Sequence, residues 1–228
     1  MFVLLLMKTS LRIPFLLLGV CLSLASCQKE ALRITDNQQD DSFLDDANLV
    51  GLVQGVTAHD GSHDNVVDDS NCFSINFPYY CNVDGEVFLY QQASDLEGLY
   101  LADEVTPVFP ITVTYADYNE TQINNEAEFQ ALIAQCASGE LYNNAIRCVD
   151  FIYPIEVAIY DPVTADFETL VYDHDRATFN GVVSLLDADL IAQFRYPLTV
   201  DIRGGETIQI SSDSELKAII NSNLNFCE

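Results

Sequence analysis

The sequence predicts an α+β fold built from tandem strand-strand-helix repeats, and two observations support this prediction. Each repeat has alternating apolar residues, a turn, a second short strand and then a helical pattern. Cysteines begin the odd repeats and end the even ones. We therefore expect two ββαββα modules, at residues 71–137 and 147–228, whose antiparallel sheets carry helices on one face. Each repeat begins with an aromatic-Pro pair: Phe77-Pro78, Phe109-Pro110, Tyr153-Pro154 and Tyr196-Pro197.

The fourth repeat shows the pattern most clearly. Residues 198–202 alternate between apolar and polar side chains, which is typical of a half-buried strand. Residues 203–206 supply a hairpin turn, because the glycines at 204 and 205 adopt positive φ without steric cost. Ser212 and Glu215 have the spacing of a capping box, which predicts the start of a helix. The second repeat aligns with the fourth without a gap, so Asn125 takes the place of Ser212 as the helix cap.

The third and first repeats follow the same order with weaker signals. In the third repeat we expect a strand near Phe167–Tyr172, a helix near Arg176–Leu186 and a helix cap at Asp173. In the first repeat, Asp84-Gly85 predicts a hairpin turn, and a short helix follows that Gly98 weakens. Two neighbouring repeats should pair into a four-stranded antiparallel sheet. Each proline should lie at the start of a strand, where its missing N–H is tolerated.

Five cysteines besides Cys27 would remain after removal of a signal peptide. The symmetry of the repeats selects the bridges Cys72–Cys136 and Cys148–Cys227 and leaves Cys81 free. One alternative is a Cys72–Cys81 bridge across the start of the first hairpin, and another is a set of buried free thiols. Disulfides form and persist in an oxidising compartment, so the first plan requires export.

The N-terminus predicts export followed by lipid attachment. A basic segment with Lys8 and Arg12 precedes an apolar run that is shorter than the roughly 20 residues a membrane-spanning helix needs. Leu24-Ala25-Ser26-Cys27 resembles the lipobox of bacterial lipoproteins. In that family the cysteine thiol receives a diacylglycerol, the chain is cut before the cysteine, and the new amine is acylated. The resemblance implies a signal peptide over residues 1–26 and a lipid anchor on Cys27, by which the protein would hold to a membrane.

Two further resemblances concern the location of the protein. Gln28-Lys29-Glu30 is similar to the short signal that directs lipoproteins to the outer surface of Bacteroidetes-type bacteria. The duplicated Cys-x5-Pro openings and acidic helix starts over residues 72–227 resemble uncharacterised lipoproteins of marine Bacteroidetes. These resemblances imply a lipid-anchored, extracytoplasmic protein in the outer membrane or at the cell surface, and they leave its molecular activity open.

The composition excludes one class of partner. The chain holds 9 Lys and Arg against 35 Asp and Glu, a formal net charge of −26, and loss of Lys8 and Arg12 makes the mature chain more negative. Nucleic acids are bound by clustered Lys and Arg, so we expect no nucleic-acid partner. Residues 27–70 are rich in Asp, Asn and Gly and predict an acidic flexible tether. Its largest apolar patch, Leu49–Val53, could add one strand to the folded region.

The sequence contains no motif that defines a catalytic or metal site. His59 and His63 have a possible metal-ligand spacing but lie in the expected tether without a third ligand. Asp173-His174-Asp175 could form an acid-base pair, although Asp173 fits better as a helix cap. Asn82–Gly85 lacks the remaining ligands of an EF-hand, so calcium is a weak candidate and no cofactor is expected.

We therefore expect a binding or structural role, with a glycan or an envelope protein as partner. The expected surface is an exposed sheet face, and the tyrosines there are Tyr79, Tyr80, Tyr90, Tyr115 and Tyr160. The alternative is a secreted hydrolase of polysaccharide or peptide that uses paired carboxylates. A flat face with tyrosines favours binding, and a pocket with two carboxylates of raised pKa favours hydrolysis.

Overall fold

Short strands and helices alternate through residues 42–227, the part of the chain that the computed structural model describes. The strands are β1 (Phe73–Ile75), β2 (Tyr79–Val83), β3 (Glu86–Tyr90), β4 (Val105–Pro107), β5 (Ile111–Tyr115), β6 (Glu120–Ile123), β7 (Val149–Phe151), β8 (Ile155–Asp161), β9 (Asp166–Tyr172), β10 (Ile191–Phe194), β11 (Leu198–Ile202) and β12 (Glu206–Ile210). The α-helices are α1 (Ala47–Val56), α2 (Asn65–Asp68), α3 (Glu126–Ala137), α4 (Asp175–Leu186) and α5 (Asp213–Asn223). Short 3-10 helices lie at Phe43–Asp45, Ser62–Asp64, Ala93–Leu101 and Leu224–Phe226. The predicted α+β class is confirmed.

The strands form antiparallel sheets of three strands each, in the orders β3-β2-β4, β1-β5-β6, β9-β8-β10 and β7-β11-β12. We call these the first, second, third and fourth sheets. Each sheet joins one hairpin to a strand from elsewhere in the chain. β1 precedes the first hairpin but pairs with β5, whereas β4 follows that hairpin's helix and pairs back onto β2. β7 and β10 repeat this exchange, pairing with β11 and β8.

This strand exchange corrects the expectation of four-stranded sheets. The first strand of each hairpin has one edge occupied by its hairpin partner and the other by the exchanged strand. No edge of that strand is left to join a neighbouring hairpin. The prolines lie where the sequence predicted, each directly before β2, β5, β8 or β11, and all four aromatic-Pro peptide bonds are cis.

Two of the three predicted helix caps are present. The Asn125 side chain accepts from the Glu128 N–H at 3.0 Å, and Ser212 Oγ accepts from the Glu215 N–H at 3.3 Å. The prediction for Asp173 was wrong, because α4 begins after His174 and has no side-chain cap. The Asp173 carboxylate instead lies 2.5 Å from His174 Nδ1.

Residues 42–70 are folded, in contrast to the flexible tether that their composition predicted. The apolar patch forms α1 rather than a strand, and Leu49 and Val53 are completely buried. The patch forms a helix because Asp46 caps its first turn, accepting from the Leu49 N–H at 3.1 Å, and because its apolar side chains cover one helical face. The predicted signal peptide, Cys27 and the tether over residues 27–41 lie outside the described residues.

Two large hydrophobic cores support the sheets, in addition to a small cluster of Ala58, Ala116 and Phe179. One lies in the first half, residues 72–137, and includes Phe73, Ile75 and Phe129. The other lies in the second half, residues 148–227, and contains buried side chains of α1. Helix α1 therefore precedes the first half in the chain but packs into the core of the second half. None of the helices described is long and apolar enough to cross a membrane.

Four cysteines lie in two pairs at disulfide distance. The S–S distances are 1.88 Å for Cys72–Cys136 and 1.91 Å for Cys148–Cys227, the same pairs that the repeat symmetry selected. Cys81 is free and buried in β2. Burial raises the pKa of the Cys81 thiol to about 12, so at neutral pH it is a protonated, inert core residue.

Candidate functional site

The outer face of the first sheet exposes apolar side chains from β2, from β3 and from the residue that follows β4. Tyr80 in β2 lies opposite Leu89 in β3, and the Val108 N–H donates to the Tyr80 carbonyl at 2.8 Å on the other side. The exposed fractions are 52% for Tyr80, 46% for Leu89 and 40% for Val108. Val87, which is 60% exposed, lies two residues before Leu89 and therefore on the same face. These four residues are the apolar face.

The other three sheets provide an internal comparison, because the second residue after each proline has equivalent neighbours. The corresponding rows of three side chains are Leu89–Tyr80–Val108, Gln122–Thr112–Asn76, Val171–Glu156–Arg195 and Gln209–Thr199–Ile152. Only the first sheet has three apolar or aromatic residues in this row. The backbone pairing at this row is the same in all four sheets. The apolar row therefore reflects the residue types of the first sheet and is not required by the fold.

The apolar face has an open strand edge and an acidic end. β3 is an edge strand of the first sheet, so the backbone groups on its outer side face no other strand among the described residues. Exposed apolar side chains on a sheet edge favour pairing with another chain. Four exposed acidic residues lie at the hairpin end of the same sheet: Asp84, Glu86, Asp103 and Glu104. The surface therefore combines strand pairing, apolar contact and negative charge.

The five tyrosines expected on sheet surfaces have different environments. Tyr80 is exposed as predicted, whereas Tyr79 and Tyr90 are buried, and Tyr115 and Tyr160 are half-buried. Tyr79 and Tyr90 are cross-strand partners on the inner face of the first sheet, so the alternation that exposes Tyr80 buries them. The prediction missed Val87, Leu89 and Val108. The signal for Val87 and Leu89 was the presence of apolar residues at alternate positions of the hairpin. Val108 follows β4, whose pairing with β2 the sequence did not predict.

A cleft of about 310 Å³ opens where the end of α1, the start of β7 and the start of α4 meet. Its polar lining consists of His59, Asp60, Tyr118, Arg147, Asp150 and Asp175. Asp60 pairs with Arg147, with 2.6 Å between Oδ1 and Nε, and Asp175 accepts from the Tyr153 hydroxyl at 2.6 Å. Two of the three carboxylates are thus engaged within the protein.

The electrostatics of this cleft differ from those of an acid pair. Burial and the charge of Asp175 raise the pKa of Asp150. The pKa of Asp60 is lowered: burial, which opposes this shift, is outweighed by hydrogen bonds from Ser62 and by Arg147. Burial lowers the pKa of His59, whose Nε2 lies 2.6 Å from Ser74 Oγ. The pKa shifts of Asp60 and Asp150 therefore run in opposite directions.

A second, shallow cavity of about 420 Å³ lies where β8 and β11 begin. Its charged groups are Glu156 and Arg195, whose carboxylate and guanidinium lie 3.9 Å apart. Because the two charges offset each other, this cavity does not select a charged ligand.

The other candidate residues from the sequence lie in folded segments, where their side chains contact other parts of the protein. His59 and His63 lie in a folded segment, with 6.1 Å between their ring centroids. In the turn at residues 82–85, Asn82 Oδ1 accepts from the Gly85 N–H at 3.0 Å, and Asp84 Oδ1 accepts from the backbone of residues 103 and 104. Among residues 42–227, no group of three or more His, Cys, Asp or Glu side chains is placed to hold a metal ion.

Comparison with known proteins assigns no family to this chain. No protein-family description, no curated protein and no solved structure matches it. The arguments for its function therefore come from its own residues.

Proposed function

We propose that this protein is a lipid-anchored, cell-surface protein that binds an extended polypeptide segment through its apolar face. The observation on which this proposal rests is the row Leu89–Tyr80–Val108, which is apolar only in the first of the four sheets. Strand addition to the β3 edge would provide backbone hydrogen bonds, and the apolar face would contact alternate side chains of the added strand.

The charge of the surface defines the partner further. Asp84, Glu86, Asp103 and Glu104 lie at one end of the apolar face, and the whole chain has a net charge of −26. Complementary potentials favour association and disfavour like-charged partners. The expected partner is therefore an envelope or extracellular protein that presents apolar residues alternating with Lys or Arg. The same charge disfavours a second copy of this chain.

The anchor and the repeat architecture are parts of the same proposal. The lipobox-like Leu24–Cys27 supports lipidation of Cys27, and the two cysteine pairs at disulfide distance support an oxidising compartment. Residues 73–137 and 149–223 have the same order of elements, three strands and a helix followed by three strands and a helix, which supports two copies of one module in which an extra strand precedes each hairpin of the predicted ββα unit.

Hydrolysis by paired carboxylates is less well supported. The cleft beside Arg147 has one carboxyl of raised pKa, Asp150, while its other two acids are held by Arg147 and Tyr153. Two other acids of raised pKa, Asp64 and Asp68, are buried where a polymeric substrate cannot reach them.

Binding can be tested with two synthetic peptides, one alternating Val and Lys and the other alternating Val and Glu. We expect saturable binding of the Val-Lys peptide only. In a variant that carries Tyr80→Thr and Leu89→Gln, the residues of the second sheet, affinity should fall by about tenfold or more, a loss of about 1.4 kcal/mol. Val171→Gln, which removes an exposed apolar side chain from the third sheet, is the matched control.

Equal loss of affinity in the Val171→Gln control would contradict a role for the apolar face. Binding of glycan polymers that depends on Tyr80, without peptide binding, would replace the polypeptide partner with a carbohydrate. The anchor has a separate test, the intact mass of the protein from a Bacteroidetes host with and without reductant. Acylation at Cys27 and its loss in Cys27→Ser are expected, and an unmodified wild-type chain would disprove the anchor.

A further inference from the structure

Two aspartates are buried in the segment that packs against β1 and β4. The 3-10 helix Ser62–Asp64 continues into α2, which places Asp64 and Asp68 one helical turn apart on the same side. Asp64 is 0% exposed and Asp68 is 3% exposed. Carboxylates are rarely buried to this extent unless they are paired or bind a metal ion.

Each carboxylate uses one oxygen to hold the backbone. Asp64 Oδ2 accepts from the Ile75 N–H at 2.6 Å, and Asp68 Oδ1 accepts from the Ser70 N–H at 3.0 Å. The second oxygen of each, Asp64 Oδ1 and Asp68 Oδ2, has no hydrogen-bond partner among the described residues. Backbone hydrogen bonds of this kind orient a carboxylate and leave its other oxygen available to a ligand.

A third oxygen belongs to the same pocket. Tyr79 in β2 is 4% exposed, and its hydroxyl likewise has no hydrogen-bond partner among the described residues. After burial, the charge of Asp64 is the largest cause of the raised pKa of Tyr79, and that of Asp68 contributes too. Tyr79 also belongs to the hydrophobic core against which Val66 and Val67 pack, and these two residues lie between the aspartates in the chain, so the three side chains lie in one region of the protein. We call Asp64, Asp68 and Tyr79 the acidic pocket.

The acidic pocket has little internal charge compensation. Burial raises the pKa of Asp64 to about 6 and that of Asp68 to about 8, and the charge of Asp64 raises the pKa of Asp68 further. Neither aspartate forms an ion pair with Lys or Arg within residues 42–227. His63 lowers the pKa of Asp64, which opposes the effect of burial, but the His63 side chain is itself exposed.

We propose that the acidic pocket binds a divalent cation, and specifically Ca²⁺, through Asp64 Oδ1, Asp68 Oδ2 and Tyr79 Oη. Two carboxylates balance the charge of one divalent ion. An all-oxygen donor set suits Ca²⁺ or Mg²⁺ rather than Zn²⁺, which prefers nitrogen and sulfur. Ca²⁺ fits better than Mg²⁺ because it tolerates irregular geometry. The affinity for Ca²⁺ increases with the number of carboxylate ligands, and this site has two. We therefore expect weak, millimolar-range affinity, as in extracellular modules.

The test uses the mature protein, stripped with chelator and titrated with CaCl₂ by calorimetry at neutral pH and moderate ionic strength. We expect one saturable Ca²⁺ per chain, a higher thermal midpoint with calcium than with chelator, and a weaker response to MgCl₂. Asp68→Asn should weaken binding by more than about tenfold. This substitution can keep the oxygen that accepts from Ser70 N–H, so the local backbone is preserved.

Two further variants separate the pocket from the acidic surface. Tyr79→Phe keeps the buried ring and removes one ligand oxygen, so it should weaken Ca²⁺ binding in a folded protein. Asp69→Asn removes an exposed charge next to the pocket and should weaken Ca²⁺ binding much less than Asp68→Asn does. Absence of saturable binding in the wild type would overturn the proposal. So would a calcium response that Asp68→Asn and Asp69→Asn reduce equally. The site is independent of the apolar face, and peptide binding is not its readout.

Discussion

Gly61 shows how closely the segment before α2 packs against the first half. A Cβ atom built on Gly61 would lie 2.5 Å from the Phe73 carbonyl oxygen and 2.6 Å from the Phe73 nitrogen. Both are backbone atoms of β1, which a small rotamer change cannot move. The need for glycine here comes from a close approach and not from an unusual φ angle.

We predict that Gly61→Ala lowers the free energy of unfolding by about 1–3 kcal/mol, because β1 or the 3-10 helix has to shift. The urea midpoint measures this change. Gly98→Ala is the control, since no atom lies within 4 Å of the Cβ position at Gly98. It should be neutral or slightly stabilising. Equal effects of the two substitutions would mean that the contact with Phe73 does not constrain the chain.

Residue patterns predicted local features well where the partner is near in sequence. Asn125 and Ser212 act as caps because their own side chains reach the backbone three residues later. Asp173 had the same pattern, but its carboxylate bonds to the neighbouring His174 instead. The burial of Asp64 and Asp68 depends on the packing of their segment against β1 and β4, so their four-residue spacing alone could not reveal it.

Helix α1 shows how composition misleads at the scale of an element. Averaged over residues 27–70, the abundance of Asp and Gly indicates a flexible chain. Within it, Leu49 and Val53 lie one turn apart and are completely buried in the core of the second half. Phe43, just before α1, stacks on Phe194 with 4.3 Å between ring centroids. A short apolar stripe is enough to dock a helix, even where the segment around it is mostly polar.

We predict that Leu49→Ala lowers the free energy of unfolding by about 2–5 kcal/mol, as expected for truncation of a buried leucine. Asn48→Ala, at an exposed position of the same helix, is the control and should change stability by less than about 0.5 kcal/mol. Chemical denaturation monitors both. A wild-type urea midpoint for Leu49→Ala would mean that α1 does not contribute to the core.

Over the whole molecule, α1 connects regions that are distant in sequence. It leads into the segment over β1 but contributes its apolar face to the core around α4 and α5. The four hairpins and the helices after them followed from local periodicity, whereas α1 and the exchanged strands β1, β4, β7 and β10 were not predicted. The pairing of β1 with β5, β4 with β2 and α1 with the second half did not follow either, because these are contacts between distant segments, about which periodicity carries no information.

We predict that a chain starting at residue 58 loses hydrogen-exchange protection mainly in β8 and β11, relative to a chain starting at residue 42. The reason is that the buried side chains of α1 belong to the core of the second half. Strands β2 and β5, supported by the other core, are the internal reference. Equal loss in all four strands would indicate that the cores unfold together, and no loss would contradict the docking of α1.

The strand exchange also bears on how such a chain could have arisen. One hairpin with its helix and one flanking strand cannot complete its own sheet, since the flanking strand belongs to its neighbour. Two separate copies could complete each other only as a symmetric, domain-swapped dimer, whose stability would depend on concentration. Joining the copies in one chain makes the exchange intramolecular and removes that dependence. Fusion would therefore keep each half folded however few molecules are present.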